Sequence, residues 1–207
     1  MNNIVDQNFI NKLVNYLQTK QHKKLQLEVK LLGKIEDQHP IIIFYYAVSL
    51  SSYERVTKED LFYASDLFEK VYLSDRSNLL ALQNMVRLSF TLKKFSKVKK
   101  YVEDEIKNNE NDEKLIESLA MINHFLGNDD ISIKYFKDLY MKFPETIRGR
   151  ITFITSLQYA SKINQKEYFN QCTKYAELLE KNLNIKKDHY QLDTKKKQKT
   201  KDCFCFW

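Results

Sequence analysis

Residues 79–146 read LLALQNMVRLSFTLKKFSKVKKYVEDEIKNNENDEKLIESLAMINHFLGNDDISIKYFKDLYMKFPET, and this stretch is the same helical pair written twice. A shift of 34 residues lays the apolar positions on each other. Leu82 falls on Ile116, Met85 on Leu119, Val86 on Ala120, Leu92 on Leu126 and Val102 on Phe136, while Val98 and Ser132 share a site for small side chains. In the second copy Ile116, Leu119, Ala120 and Asn123 recur at helical spacing, Gly127-Asn128-Asp129-Asp130 supplies a break, and Ile133, Phe136 and Leu139 begin a second stripe. This predicts two short antiparallel helices. Ala120 and Ser132 are small where the axes cross, so the backbones can approach, and Phe136 fills the space beside them. Pro144 ends the second helix because it has no N–H to donate and its ring clashes with the preceding turn.

The pattern resembles the tetratricopeptide family, and Gly127, Ser132, Phe136 and Pro144 are the residues that match it. The resemblance implies an all-α fold, a right-handed α-solenoid of helix pairs. The copy at 79–112 is the looser one, with Val86 and Val98 at the small sites and no proline at its end. Toward the N-terminus, a helix from Gln7 to Thr19 places Phe9, Leu13, Tyr16 and Leu17 on one face. A second, from His22 to Glu36, presents Leu25, Val29, Leu32 and Ile35, and Asp37-Gln38-His39-Pro40 closes the unit. A strongly apolar helix from Ile41 to Leu50 starts the next pair on time, but its partner comes late. Leu25, Val29 and Leu32 correspond to Ala64, Phe68 and Val71 at an interval of 39, which puts about five extra residues near Tyr53 to Lys58. An insertion of that size adds roughly a few tenths of a kcal/mol of loop-closure cost. Four helix pairs therefore account for residues 7–146.

Residues 147–185 read as a C-terminal capping or linker pair that covers the last apolar face of the array. Its first helix carries Ile151, Phe153, Ile154 and Leu157, and its second carries Tyr168, Phe169, Cys172, Tyr175, Ala176 and Leu179. Residues 186–207 read as a basic disordered tail. The run Thr152-Phe153-Ile154-Thr155-Ser156-Leu157-Gln158-Tyr159, a polar bridge, then Lys166-Glu167-Tyr168-Phe169 with Tyr175 following, is similar to the junction in SPINDLY-like and O-linked N-acetylglucosamine transferases. In that family the junction joins the repeats to the catalytic half. The resemblance implies a nucleotide-sugar enzyme whose repeats hold a protein substrate along a concave groove, through asparagines of the inner helices. Asn11 and Asn84 occupy the matching position, and Tyr45, Ser118 and Thr152 stand at the equivalent sites of the other units, so the asparagine ladder is incomplete. Past Tyr190, where the family's first catalytic lobe would open, the chain reads TKKKQKTKD over 194–202 and then CFCFW. It has no strand–helix alternation and no Gly-rich phosphate loop. The expectation is the substrate-recognition half of a SPINDLY-like transferase, truncated before its catalytic lobes and without turnover of its own. The alternative is a free-standing adaptor or assembly scaffold.

Composition narrows the remaining classes. Three Gly and two Pro among 207 residues disfavour a fold rich in tight turns, and 29% charged residues suit helices with one solvated face. The net charge of +7 is concentrated late, with seven Lys against three Asp between Lys186 and Asp202. The body is nearly balanced, and no helix shows a basic stripe interleaved with aromatics, so nucleic acid is not an expected partner. No run of about 18 apolar residues is present, which argues against a membrane span. Met1 to Asp6 lacks the basic and apolar parts of a leader, and three Cys make no disulfide framework, so a cytoplasmic location is expected. His22, His39, His124 and His189 are scattered, and Cys203 and Cys205 form a single C-x-C pair, so neither a metal nor another cofactor is expected. Cys172 reads as a buried structural thiol, Glu103-Asp104-Glu105 as a solvated face and Asp129-Asp130 as a helix start. The expected partner is a protein or peptide in the groove formed around Asn11, Tyr45, Asn84, Ser118 and Thr152. Pairing as a homodimer stays open.

Overall fold

The computed structural model describes residues 6–53, 56–144, 147–161 and 164–183. Among these residues ten α-helices follow one another: α1 (Gln7–Gln18), α2 (His22–Lys30), α3 (Pro40–Leu50), α4 (Lys58–Ser74), α5 (Leu79–Leu92), α6 (Ser96–Ile106), α7 (Glu113–Phe125), α8 (Asp129–Lys142), α9 (Ile147–Ser156) and α10 (Gln165–Leu183). Short 3₁₀ turns lie at Ile35–Asp37 and Leu157–Tyr159, and there is no strand among the described residues. The expected tail at 186–207 lies outside them.

Polar side chains set the helix starts by satisfying the first backbone N–H groups. Asp6 accepts from the N–H of Asn8 at 2.9 Å, Asn78 from that of Ala81 at 3.1 Å, and Asp112 from those of Lys114 and Leu115 at 2.9 and 3.0 Å. Thr57 and Asp60 form a reciprocal capping box at the head of α4. Residues 51–57 link α3 to α4, where the extra residues were expected. The Tyr53 hydroxyl, just after α3, donates to Asp60 of α4 at 2.6 Å. The later first-to-second turns, 93–95 and 126–128, are tighter. Each contains one left-handed residue, Lys93 at φ 55° and Gly127 at φ 76°, and Lys20 at φ 56° does the same between α1 and α2.

The crossing of α7 and α8 follows the logic of the sequence. Ala120 and Ser132 are buried, the Ser132 hydroxyl donates to the Ala120 carbonyl at 2.8 Å, and Phe136 packs beside them. One apolar core runs from Ile10 and Leu13 through Phe68 and Met85 to Leu119 and Ile122. A second joins Ile116 and Ala120 to Phe136, Leu139, Tyr140 and Phe153. Helix α7 feeds both, which makes the packing continuous along the chain. Each fully buried side chain of this size contributes about 1.5–3 kcal/mol.

Three expectations need correction. Helix α2 stops at Lys30 rather than Glu36, because Gly33 adopts φ 104° and the chain re-forms as the 3₁₀ turn at Ile35–Asp37. Ile35 is buried from that turn, while Leu32 is exposed. In α9, Phe153 and Ile154 enter the core and Ile151 faces outward, since residues two apart on a helix lie on nearly opposite faces. In α10 the inward stripe is rotated: Leu178 is the buried residue, Phe169 is 70% exposed, Ala176 is exposed and Cys172 is only half-buried.

Candidate protein-interaction surface

The first helices of the pairs, α1, α3, α5, α7 and α9, carry all five predicted groove residues at one repeat position. Their surroundings differ. Asn11 is exposed, and its Oδ1 accepts from the Gln7 side chain at 3.1 Å. Tyr45 is half-buried, with its ring 5.8 Å from Phe44 and edge-on to it. Asn84 donates to the Leu80 carbonyl of its own helix at 2.9 Å, and Ser118 donates to the Lys114 carbonyl at 2.6 Å. Thr152 is half-buried in α9. Asn11, Tyr45, Asn84 and Ser118 make no hydrogen bond with one another. One N–H of the Asn84 amide is thus engaged within its own helix, and asparagine stands at this repeat position at residues 11 and 84 alone.

Other residues stand out on the same helices. Arg87 lies one turn beyond Asn84, and its Nη2 donates to the Ser51 hydroxyl at 2.9 Å and, at 3.4 Å, to Asn84 Oδ1, linking α5 to the end of α3. By surface area its side chain is exposed, yet the flanking helices crowd it enough that desolvation lowers its pKa. It remains a cation at any physiological pH. Leu80 is 60% exposed, and Ile41 and Ile151 are exposed as well. Ile41 and Leu80 are separated by the same 39 residues as Tyr45 and Asn84, so the sequence did hold this signal: two apolar side chains at a repeat position that the core does not use. Where the first helices turn into the second, Phe125 and Tyr159 are each 54% exposed. His124 bridges them, with its ring 5.8 Å from Phe125 and 4.7 Å from Tyr159 and its Nδ1 2.7 Å from Asp129 Oδ1. Among the described residues no three His, Cys, Asp or Glu gather as a metal site, and no helix is long and apolar enough to cross a membrane.

Stacked helix pairs, small residues at a crossing, and first helices that display apolar and charged side chains define a right-handed α-solenoid of tetratricopeptide type. Solved structures of MamA share this architecture. A crystal structure of MamA protein superposes with a TM-score of 0.71 at 12% identity, covering 86% of this chain and 93% of that one. The MamA RS-1 ArsTM double mutant gives 0.67 at 15% identity over 83% and 93%, and MamA 41-end from Desulfovibrio magneticus RS-1 gives 0.66 at 12% over 84% and 93%. No protein-family model and no curated protein matches this chain. At such identities the likeness is one of fold.

Proposed function

We propose that this chain is a protein-interaction scaffold, a free-standing tetratricopeptide-type adaptor whose first-helix face receives an extended segment of a partner protein. The exposed apolar residues Ile41 and Leu80, which share one repeat position on that face beside the Arg87 cation, carry this reading. A solenoid buries its core between neighbouring pairs, so apolar side chains left exposed at a shared repeat position are available for contact with a partner. The Arg87 charge favours a partner segment with a carboxylate near its apolar anchors. Because asparagine stands at this repeat position only at residues 11 and 84, side-chain contacts rather than an asparagine ladder would set affinity. The reading extends to a cytoplasmic protein that binds without turnover, a setting supported by sparse cysteines and a nearly balanced body.

The test is a peptide selected against the full chain and titrated calorimetrically. Leu80→Asp and Arg87→Glu are each expected to weaken it at least tenfold with helicity unchanged. Unchanged affinity in both variants would overturn the assignment of the face.

The transferase-half reading remains a second proposal, resting on the resemblance of Thr152–Tyr159 and Lys166–Phe169. Reading the gene downstream of the codons for Asp193 to Trp207 in all three frames tests it. A sugar-nucleotide lobe in any frame would favour the transferase, and transfer from a nucleotide sugar by the chain alone would overturn binding without turnover.

A further inference from the structure

A cleft of about 720 Å³ opens between α4 and the turn joining α5 to α6. It shares no lining residue with the five groove positions. Phe62, Met85, Phe95, Val98 and Leu126 form its apolar walls, and the volume has room for a bulky side chain together with its neighbours. Its mouth is cationic. Lys97 is neutralised by Glu69, but Lys93 and Lys94 stand exposed on the rim opposite a single further carboxylate, Asp66. The Lys94 ammonium sits 4.1 Å above the Phe62 ring, and Lys58 stands 5.9 Å from the same ring. Among the described residues neither Lys58, Lys93 nor Lys94 has an ion-pair partner. Helix α6 begins at this rim with no side chain capping it, which adds partial positive charge of the same sign.

The apolar wall does not stop at the cleft. Phe95 stacks on Phe125 at 5.5 Å, Phe125 neighbours His124 at 5.8 Å, and His124 reaches Tyr159 at 4.7 Å. These ring steps form an aromatic track along the turn edge of the third, fourth and fifth pairs. Its length suits about five residues of extended chain. Phe125, Leu126 and Tyr159 all expose it to solvent.

We propose that this edge is a second docking site, separate from the first-helix face, for a linear segment of a partner protein. The segment is acidic at one end and aromatic or aliphatic at the other. Its carboxylates meet Lys58, Lys93 and Lys94, its first bulky side chain enters the cleft, and the apolar residues that follow lie along Phe125 and Tyr159. Charge complementarity selects this occupant: a basic segment would face three lysines and an uncapped helix start, and a neutral one would leave them without counter-charge.

The probe is a fluorescein-labelled, blocked peptide Asp-Glu-Asp-Trp-Ser-Leu-Phe titrated into the full chain by anisotropy. Amide shifts read by NMR then locate the contact. Saturable binding is expected, with shifts concentrated in residues 62–69, 93–98, 124–126 and 159. The Lys93→Glu/Lys94→Glu double variant should lose at least tenfold in affinity and Phe125→Ser at least threefold. Absence of binding overturns the proposal. So does equal binding of a peptide whose Trp, Leu and Phe are replaced by Ser, since charge alone would then suffice. Sensitivity to Arg87→Glu without sensitivity to the lysine pair assigns the peptide to the first-helix face. That result would support the scaffold reading while sinking this one.

Discussion

At the scale of single residues, the turns between paired helices show the fold imposing a conformation that the side chains resist. The chain must take a left-handed residue after α1, after α5 and after α7, and those positions hold Lys20, Lys93 and Gly127. Only glycine adopts this conformation without strain, whereas a residue with a Cβ pays roughly 1 kcal/mol. At Gly127 an added Cβ would meet nothing within 4 Å, so any cost of substitution is conformational rather than steric. Lys20→Gly is therefore expected to raise stability by about 1 kcal/mol and Gly127→Ala to lower it by a similar amount, as measured by urea unfolding. If both changes moved the midpoint the same way, backbone strain would not be the governing term. Lys93 stands 34 residues before Gly127, at the same repeat position, so the glycine at one turn marks the conformation required at the other.

Between elements, the second helices are tied by tyrosine hydroxyls donating to carboxylates of the preceding unit or the next. Tyr63 donates to Glu36 at 2.7 Å, Tyr101 to Glu69 at 2.6 Å and Tyr72 to Glu105 at 2.9 Å, while Arg76 lies 4.7 and 5.3 Å from the rings of Tyr72 and Tyr101. The hydrogen bond to Glu69, with burial second, pushes the Tyr101 hydroxyl up to about 12. The unfolded chain releases that proton near pH 10. Stability from this group is complete below pH 10 and is lost as the pH rises toward 12, because the unfolded state then binds fewer protons than the folded one. Tyr101→Phe should cost about 1 kcal/mol at neutral pH and flatten the alkaline decline; an equally steep decline in the variant would refute the assignment.

The same scale shows how far the sequence could be read. The pair α7 and α8 was legible because Ala120, Ser132, Phe136 and Pro144 each perform a local task that spacing alone reveals. The end of α2 was not, since Leu32 and Ile35 keep helical spacing across a break that Gly33 makes through its φ. Nor was the face of α10, where Phe169 fits an apolar stripe but the neighbouring helices choose Leu178 instead. For the candidate surface, the repeat position of Asn84 was legible. The donation of its amide to Leu80 is a choice of rotamer, which periodicity does not encode.

For the whole molecule, the consequence of stacking is that each helix pair is stabilised by its neighbours and not by a common centre. The last pair has a neighbour on one side only among the described residues, and Leu178 is the one side chain of α10 buried to the level of the core. Arg150 compensates. From α9 its Nη1 donates to the Lys174 carbonyl at 2.7 Å, its Nη2 donates to the Tyr140 hydroxyl at 3.0 Å, and its guanidinium lies 4.6 Å over the Tyr140 ring, which itself stacks on Phe153. One side chain thus joins α8, α9 and α10. Charged hydrogen bonds of this kind are worth about 1.5–3 kcal/mol each, so Arg150→Ala should release α10 before anything else. The expected readout is hydrogen exchange: amides of Gln165–Leu183 lose protection at least tenfold, while those of α3 to α5 keep theirs, because a nearest-neighbour stack transmits little across intervening pairs. Arg150→Lys, which keeps the charge but not the planar fork, should fall between the two. If protection instead dropped evenly from α3 through α10, the chain would unfold as one cooperative body, and its pairs could not be treated as separately stabilised units.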